Sequence, residues 1–300
     1  MPELNVATRA SALARAQTGW VRAQISGATG MTTHEVLVTS EGDVSKAALT
    51  SFGGQGVFVT AVREAVVDGR ADVAVHSMKD MPTATDPRTV IAAVPAREDT
   101  RDFLVTAATS LDELPQAATV ATGSPRRVAY LHRIRPDLRI VGIRGNVDSR
   151  IAQVEQGRVD AVVLACAGLS RLGLTPPGFA LDPDVMLPAV GQGALSIEMR
   201  AGDARIPEVA AIDDARARAA ITAERALLAG LRAGCAAPVG ALAVHNGDIL
   251  ELRAAVLSPD GTRMYECVMS GSVQQPYDIG VNAATELIGQ GAGQLLGENR

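Results

Sequence analysis

The amino-acid sequence predicts an α/β protein with mainly parallel sheets, followed by a small α+β domain. Short apolar strands alternate with amphipathic helices over the first two thirds of the chain, a pattern typical of parallel sheets. The alternation begins afresh near Arg101, which indicates a second unit. After Ile221 the order changes to a helix, two strands joined by a turn, and a last helix.

The first unit is predicted from two kinds of signal, apolar strands and helix boundaries. Ser11 is the predicted N-cap of the first helix, since a serine oxygen can accept a hydrogen bond from the first helical turn. Asp68-Gly69 is a plausible end for the second helix. The predicted elements are strands at 4–8, 34–39 and 72–75 and helices that begin at Ser11 and after the glycine-rich run 53–56.

The second unit has a clear helix start at Ser124-Pro125, an N-cap residue followed by proline at the first helical position. Its predicted elements are strands at 119–121, 138–143 and 159–165 and helices at 125–134 and 147–156. The segment 188–200 is predicted to return to the first unit. The last part is predicted to contain a helix at 222–231, strands at 249–257 and 263–270, a turn at 258–261 and a helix at 278–296. The predicted domains are 1–98 with 190–212, 99–189 and 216–300.

Composition excludes several classes of protein. The chain has 300 residues, 47% hydrophobic and 3% aromatic, with a net charge of −5, so charge alone does not favour nucleic-acid binding. The longest apolar stretch near the middle, 161–169, is too short to span a bilayer. The N-terminus has no basic start followed by an apolar block, so we expect no secretory signal. The four histidines are scattered and suggest no metal site.

Polar residues follow the strand at 72–75, in the run AVHSMKDMPT. We expect a loop there that sets His76, Ser77, Lys79 and Asp80 almost side by side. Ligands of parallel sheets bind at the carboxyl ends of strands, where a loop can project polar groups. A cation beside a carboxylate at that point can attract an anionic substrate and handle a proton, although a solvated charged turn has the same composition.

Arginines are concentrated in the second unit, with seven between positions 126 and 150 and only two acidic residues among them. Arg126 and Arg127 fall in the first turn of a predicted helix, where backbone N–H groups already favour an anion. Arg144 and Arg150 flank a strand-to-helix turn at the same sheet edge. We expect these four to bind carboxylate or phosphate groups. The others are expected on a solvated face: Arg133, Arg135 and Arg139.

The three cysteines lie far apart, and an odd number without metal-ligand spacing argues against a disulfide framework. This usage fits a reducing cytoplasm. Cys166, in a predicted apolar strand, and Cys267 are interpreted as core or structural residues. Cys235 lies in the glycine- and alanine-rich loop GCAAPVG, and taken alone it too is more typical of a structural residue.

Ten motifs, in order along nearly the whole chain, resemble the porphobilinogen deaminase family. They are ATRASALARAQ, GGQGVF, DVAVHSMKDMPT, REDTRD, ATGSPRR, IRGNVDSR, LACAGLSRLGL, LPAVGQGA, TAERALL and GCAAPVG. The resemblance implies two lobes like those of periplasmic binding proteins and a small third domain. It also implies a transferase that joins four porphobilinogen molecules head to tail, with loss of ammonia, into hydroxymethylbilane. The growing chain stays bound to a dipyrromethane cofactor.

The resemblance also assigns site residues. It implies that Asp80 is the catalytic carboxylate and that Cys235 holds the cofactor through a thioether. The implied cofactor-binding residues are Ser11, Ser77, Lys79, Thr122, Ser124, Arg126, Arg127 and Arg144. The implied substrate-binding residues are Arg9, Arg150 and Gln192. It implies no metal, no membrane or nucleic-acid partner, and a cytoplasmic enzyme that is a monomer.

The sequence departs from the family's common pattern at three places, with Gln55 in the GGQG loop, Gly123 in ATGSPRR and Ser40-Glu41. We interpret these as adjustments of substrate-chain contacts. Two other classes of function remain open at this point. A non-catalytic binder of a small anion would share the fold and the arginines without needing Asp80 or Cys235. A nucleic-acid binder would use the same arginines, but stacking aromatics are nearly absent.

Overall fold

The computed structural model of the chain describes residues 3–39, 57–234 and 236–297. The chain groups into two units, Met1–Glu98 with Ala194–Arg218, and Asp99–Gly193 with Ala219–Arg300. The predicted fold class is confirmed. The first unit holds one five-stranded sheet, and the second holds another together with a three-stranded antiparallel sheet. The division into three domains stays a prediction.

The sheet of the first unit has four strands in one direction and one against them. Its strands are β1 (Glu3–Arg9), β2 (Thr32–Val38), β3 (Val73–Ser77), β4 (Thr89–Ala93) and β10 (Leu195–Arg200). Their order is β2-β1-β3-β10-β4, and β10 is antiparallel to both of its neighbours. The helices of this part are α1 (Ala12–Thr29), α2 (Val57–Val67) and α6 (Ile206–Val209), with a short 3₁₀ helix at Ala210–Ile212.

Local sequence determines where helix α1 begins and ends. Ser11 is its N-cap, as predicted, and the Ser11 side chain accepts a hydrogen bond from the Ala14 N–H. Gly30 ends the helix in the left-handed conformation with φ 71°, which glycine adopts at little cost. Val21 and Ile25 pack into the core of the sheet. The helix therefore starts at Ala12, three residues after Arg9 at the carboxyl end of β1.

The first sheet of the second unit repeats the same topology. Its strands are β5 (Asp102–Val105), β6 (Thr119–Ala121), β7 (Arg139–Val141), β8 (Ala161–Ala165) and β9 (Gly178–Ala180), in the order β7-β6-β8-β5-β9. Its helices are α3 (Pro125–Ile134), α4 (Val147–Glu155) and α5 (Cys166–Leu172). Strand β5 runs against its neighbours. In each five-stranded sheet, one strand is antiparallel to its neighbours. That strand, β10 in the first unit and β5 in the second, is the first strand after the chain enters the unit from the other one.

The C-terminal part contains the antiparallel sheet. Its strands are β11 (Val239–Asn246), β12 (Ile249–Leu257) and β13 (Met264–Ser272), and its helices are α7 (Ala215–Gly230), α8 (Pro276–Gln290) and α9 (Ala292–Gly297). Leu227, Leu252 and Leu287 pack in one core. The single helix predicted at 278–296 is wrong, because Gly291 adopts φ 110° and divides it into two.

Other elements also differ from the sequence prediction. Strands β4, β5, β9 and β11 were not predicted. Cys166 is buried, as expected, but it is the first residue of a helix and not part of a strand. Across the described parts of the chain, we find no helix with the length and apolar character needed to cross a membrane.

Candidate active site

Two strand ends meet at one edge of the first unit's sheet. Strand β1 ends at Arg9, and its parallel neighbour β3 ends at Ser77. A 3₁₀ turn, Met78–Asp80, follows β3 directly. Because parallel neighbours end on the same side of a sheet, the sequence brings the guanidinium of Arg9 and the turn that carries Asp80 to one edge.

A cavity opens at this edge. Its polar lining is formed by Arg9, Gln17, His76, Ser77 and Asp80, and its apolar lining by Ala14, Val59, Val62 and Val75. Gln17 Nε2 lies 3.1 Å from Ser77 Oγ, so α1 and β3 hold each other at the cavity wall. The cavity combines a cation, a carboxylate, an imidazole and a hydroxyl with an apolar surface, which suits an apolar ring that bears charged substituents.

The two charges of the 3₁₀ turn differ in exposure. Asp80 is exposed and Lys79 is half-buried. The turn is closed by a hydrogen bond from the Met81 N–H to the Met78 carbonyl at 3.1 Å, and Met78 is buried. The Asp80 carboxylate is therefore held on an anchored turn while it remains accessible to a ligand.

One cavity residue, His76, belongs to a buried polar cluster. His76 was expected in a loop, but it lies in β3 and is 6% exposed. Its Nε2 lies 3.0 Å from Glu198 Oε2. Glu198 Oε1 accepts from Arg63 Nε at 2.8 Å and from Thr89 Oγ1 at 2.6 Å. Burial alone would raise the Glu198 pKa, but these partners outweigh burial and hold the pKa below its ordinary value.

In the second unit, Arg126 and Arg127 are buried and share the carboxylate of Asp102. Arg126 Nη2 donates to Asp102 Oδ2 at 2.7 Å, and its Nη1 donates to the Leu187 carbonyl at 2.6 Å. Arg127 donates to Asp102 Oδ1 from Nε at 3.0 Å and from Nη2 at 2.7 Å, and to the Val163 carbonyl from Nη1 at 2.8 Å. Arg126 Nε has no hydrogen-bond partner among the described residues. The protein thus fixes both guanidiniums and leaves one buried donor unused.

Asp102 itself is fully buried and is held from a third side. Gln192 Nε2 donates to Asp102 Oδ1 at 2.9 Å and to the Thr100 carbonyl at 2.8 Å. Burial alone would raise the Asp102 pKa, but the charges of Arg126 and Arg127 and the Gln192 amide hold the pKa well below its usual range. The stabilisation from the ionised carboxylate is therefore complete above the ordinary Asp pKa of about 3.9 and is lost only as the pH falls below that value.

Replacing Asp102 by Asn should destabilise the fold strongly. The substitution keeps the shape of the side chain but leaves two buried guanidiniums without a counter-charge, so we expect a loss of about 3–5 kcal/mol in the free energy of unfolding. Urea unfolding at pH 7 measures this loss. The difference in the free energy of unfolding between the variant and the wild type should become smaller only below about pH 4. Asp137→Asn is the control, since Asp137 pairs with Arg135 at an exposed position. Equal effects of the two substitutions would contradict a special role for the buried cluster.

Arg144 and Arg150 have a different environment from the buried pair. Arg144 is exposed and Arg150 is half-buried, with Arg150 Nε donating to the Gly145 carbonyl at 2.8 Å. Burial and the nearby charge of Arg127 lower the pKa of Arg150. The structure therefore brings Arg150 into the electrostatic environment of Arg127.

The turn before α3 carries the predicted hydroxyl residues. Thr122 is buried, and its Oγ1 accepts the Ser124 N–H at 3.2 Å. Ser124 occupies the N-cap position, but its side chain makes no capping hydrogen bond, so its hydroxyl can serve a ligand. A side chain at Gly123 would place its Cβ 3.1 Å from the Ile143 carbonyl, which is a tight approach for any larger residue.

The three arginines expected on a solvated face divide into two groups. Arg133 and Arg139 are exposed, as predicted. Arg135 is half-buried and donates to Asp137 and to the Leu111 carbonyl, so its assignment to a purely solvated face is wrong. The Arg135 guanidinium thus connects the end of α3 to the segment that contains Leu111 in the same unit.

Several predicted features lie outside the described residues. Among them are the cysteine expected to carry the cofactor, Cys235, and the sequence departures at Gln55 and Ser40-Glu41. The other two cysteines have unreactive surroundings. Burial raises the pKa of the thiols of Cys166 and Cys267, in each case to about 11, and a protonated thiol is a poor nucleophile.

Two carboxylates at these sites were missed by sequence reasoning. Asp102 opens β5 within REDTRD, and its position at the head of an apolar strand was the only available signal. Glu198 lies in the apolar run ALSIEMR, where an isolated acid among buried residues was a similar signal. In the described ranges, no three or more His, Cys, Asp or Glu side chains are grouped to hold a metal ion.

The family comparison covers most of the chain. Residues 4–208 match the model of "Porphobilinogen deaminase, dipyromethane cofactor binding domain", and residues 218–289 match "Porphobilinogen deaminase, C-terminal domain". Together the two models span both units.

Curated relatives are similar over nearly their full length. A porphobilinogen deaminase from Acidothermus cellulolyticus is 47% identical, over 98% of this chain and 91% of the relative. Porphobilinogen deaminase 1 from Streptomyces coelicolor is 45% identical, over 98% of both chains. Among solved structures, a putative methionine-binding lipoprotein from Bacillus subtilis is 14% identical with a TM-score of 0.43, over 69% of this chain and 88% of that one.

Proposed function

The chain belongs to the porphobilinogen deaminase family, and from this premise we propose which of its residues carry out the reaction. The enzyme is a transferase of tetrapyrrole biosynthesis. It joins four porphobilinogen molecules head to tail, with loss of ammonia, into hydroxymethylbilane on a dipyrromethane primer. One observation carries the proposal for the catalytic centre: Asp80 and Arg9 line the same cavity.

The described residues fit a dipyrromethane with its acetate and propionate side chains. Carboxylates need fixed cationic donors, and the second unit offers the guanidiniums of Arg126, Arg127, Arg144 and Arg150. Arg126 Nε is a buried donor with no partner among the described residues, and burying an unpaired donor is costly. A ligand carboxylate would satisfy it. When bound, the cofactor supplies the nucleophilic pyrrole carbon to which the first substrate is joined.

Asp80 is proposed as the catalytic carboxylate. Departure of ammonia from porphobilinogen leaves a cation that is delocalised over the pyrrole ring. A fixed carboxylate beside that ring stabilises the cation as it forms. The same oxygens can exchange a proton with the pyrrole nitrogen. The exposure of Asp80 on a short anchored turn supports both roles.

The remaining side chains are proposed to bind and orient the substrate chain. In the first unit, Lys79 and Ser77 hold the cofactor with Ser11, and Arg9 holds a substrate carboxylate. In the second unit, the proposed cofactor residues are Thr122, Ser124, Arg126, Arg127 and Arg144, and the proposed substrate residues are Arg150 and Gln192. The structure also suggests a narrower role for Gln192, since its amide donates to Asp102 and Thr100 and so positions the carboxylate that holds the arginine pair.

The attachment point of the cofactor is proposed to be Cys235, through a thioether. The raised thiol pKa values of Cys166 and Cys267 support this choice because they leave those two thiols protonated at neutral pH. We also propose three domains, 1–98 with 190–212, 99–189 and 216–300, and a cytoplasmic enzyme that works as a monomer without a membrane or nucleic-acid partner. The matched family models, with a break between residues 208 and 218, support the last domain boundary.

Arginine substitutions test the proposed site. Arg150→Leu should stall elongation, because it removes a charged hydrogen bond to a substrate carboxylate that is typically worth about 1.5–3 kcal/mol. That corresponds to roughly a ten- to hundredfold loss in kcat/KM. Turnover of porphobilinogen and mass spectrometry of the enzyme-bound chain measure the effect. Arg139→Leu is the matched control, since Arg139 is exposed; equal losses in both variants would mean that overall charge, and not a shaped site, is responsible.

A further inference from the structure

The pair formed by His76 and Glu198 has the geometry of an oriented proton acceptor. Ser196 lies directly opposite His76 in the β3–β10 register, and Glu198 lies two residues further along β10. The two side chains therefore meet diagonally on one face of the sheet. Glu198 binds the ring at Nε2. His76 also lines the cavity that contains Asp80.

Both carboxylate oxygens of Glu198 make hydrogen bonds. Arg63 from α2 and Thr89 from β4 both donate to its second oxygen. A carboxylate that holds one imidazole nitrogen sets the ring's tautomer and leaves the other nitrogen to accept a proton. Ser196, which lies opposite His76 in the strand register, is fully buried, and its hydroxyl has no hydrogen-bond partner in the described part of the chain.

The charged groups around the ring come from several elements. They are Glu198 on β10, Arg63 on α2, Arg9 at the end of β1 and Asp80 in the turn after β3, while α1 contributes the uncharged Gln17. The other three histidines of the chain are His34, His132 and His245, and each of them is exposed or half-buried. His76 is the one buried imidazole of the described chain.

We propose that His76, oriented by Glu198, accepts the proton that the pyrrole α-carbon loses in each condensation. The proposal rests on the proposed function, since it places the reaction in the cavity of Asp80. In each cycle the C–N bond of one porphobilinogen breaks, and its electron pair leaves with ammonia. The methylene carbon then bonds to the α-carbon of the preceding pyrrole. The C–H bond of that α-carbon breaks, its electron pair stays in the ring, and its proton moves to His76 Nδ1 and on to the departing ammonia as ammonium. Asp80 stabilises the cation, and Glu198 is a positioning residue that acts through His76.

The test is His76→Gln, whose amide nitrogen can keep the hydrogen bond to Glu198 but cannot titrate. The variant is first loaded with preassembled hydroxymethylbilane so that it carries cofactor. We expect kcat to fall at least about 10²-fold with little change in KM. The pH profiles of kcat for the wild type and the variant should differ, because a glutamine side chain cannot exchange a proton. His34→Gln, at an exposed histidine that pairs with Glu3, should keep both rate and pH profile.

Two further measurements keep the proposal falsifiable if His76→Gln does not fold. Nitrogen-15 NMR of the wild-type imidazoles should show the His76 proton on Nε2, the nitrogen that faces Glu198, and Glu198→Gln should change the pH profile of kcat because the carboxylate no longer orients the ring. A His76 with its proton on Nδ1, pH profiles of kcat that coincide in the wild type and Glu198→Gln, or a folded His76→Gln with wild-type rate, overturns the proposal. If Asp80→Ala is inactive while His76→Gln is fully active, only the role of His76 is wrong. If both are fully active, the proposed function of the cavity is wrong.

Discussion

Asp80→Ala is expected to abolish nearly all turnover of porphobilinogen while the protein stays folded. The substitution removes the only exposed carboxylate among the described residues that line the cavity. Loss of a positioned acid–base group typically costs about 10²–10⁴ in rate, and loss of the electrostatic partner of a developing cation costs a further factor of about 10²–10³. Steady-state turnover, with mass spectrometry of the bound chain, measures the effect.

Asp80→Glu separates charge from position. The longer side chain keeps the carboxylate but moves it by one methylene, so we expect partial activity and an accumulation of enzyme-bound intermediates. Asp86→Asn is a suitable control, because Asp86 is an acid of the same unit that pairs with Arg88 away from the cavity. If Asp80→Ala turned over at close to the wild-type rate, a non-catalytic binder of a small anion would again be the better interpretation of this loop.

Cys235→Ser is expected to yield a chain without covalent cofactor and without activity. A serine oxygen is a far weaker nucleophile than a thiolate, and the other two cysteines have thiol pKa values raised to about 11. Intact-mass measurement of the denatured variant should give the mass of the sequence alone.

Cys166→Ser and Cys267→Ser are the matched controls for the attachment site. Neither residue is assigned a part in cofactor attachment or catalysis, so both variants should retain the adduct and turnover. An adduct that disappears in either control, or that survives in Cys235→Ser, would place the thioether on a different residue.

The sequence predicted those features that depend on nearby residues. The N-cap at Ser11 and the start of α3 after Ser124 needed only a capping residue or a proline at the right place. The position of Asp80 just after a buried strand end likewise followed from local pattern. The family resemblance then added roles for individual residues, and these roles remain predictions for the experiments above.

Features that depend on distant residues were not predicted. Arg126 and Arg127 showed as a basic pair, but the sequence does not reveal that Asp102, more than twenty residues earlier, lies between them. The partner of His76 is 122 residues away along the chain. Strands β5 and β10 run antiparallel to both of their neighbours, and no local composition signals such a reversal.

Growth of the tetrapyrrole on a covalently bound primer is tested by a time series of intact masses of the denatured wild-type protein after mixing with porphobilinogen. The resting mass should exceed that of the sequence by two porphobilinogen units, each less one ammonia. Further species should then appear, each heavier by one such unit, and disappear as hydroxymethylbilane is released. A fully active protein with the unmodified mass of its sequence, or one that makes hydroxymethylbilane without any ladder of bound species, would contradict the account.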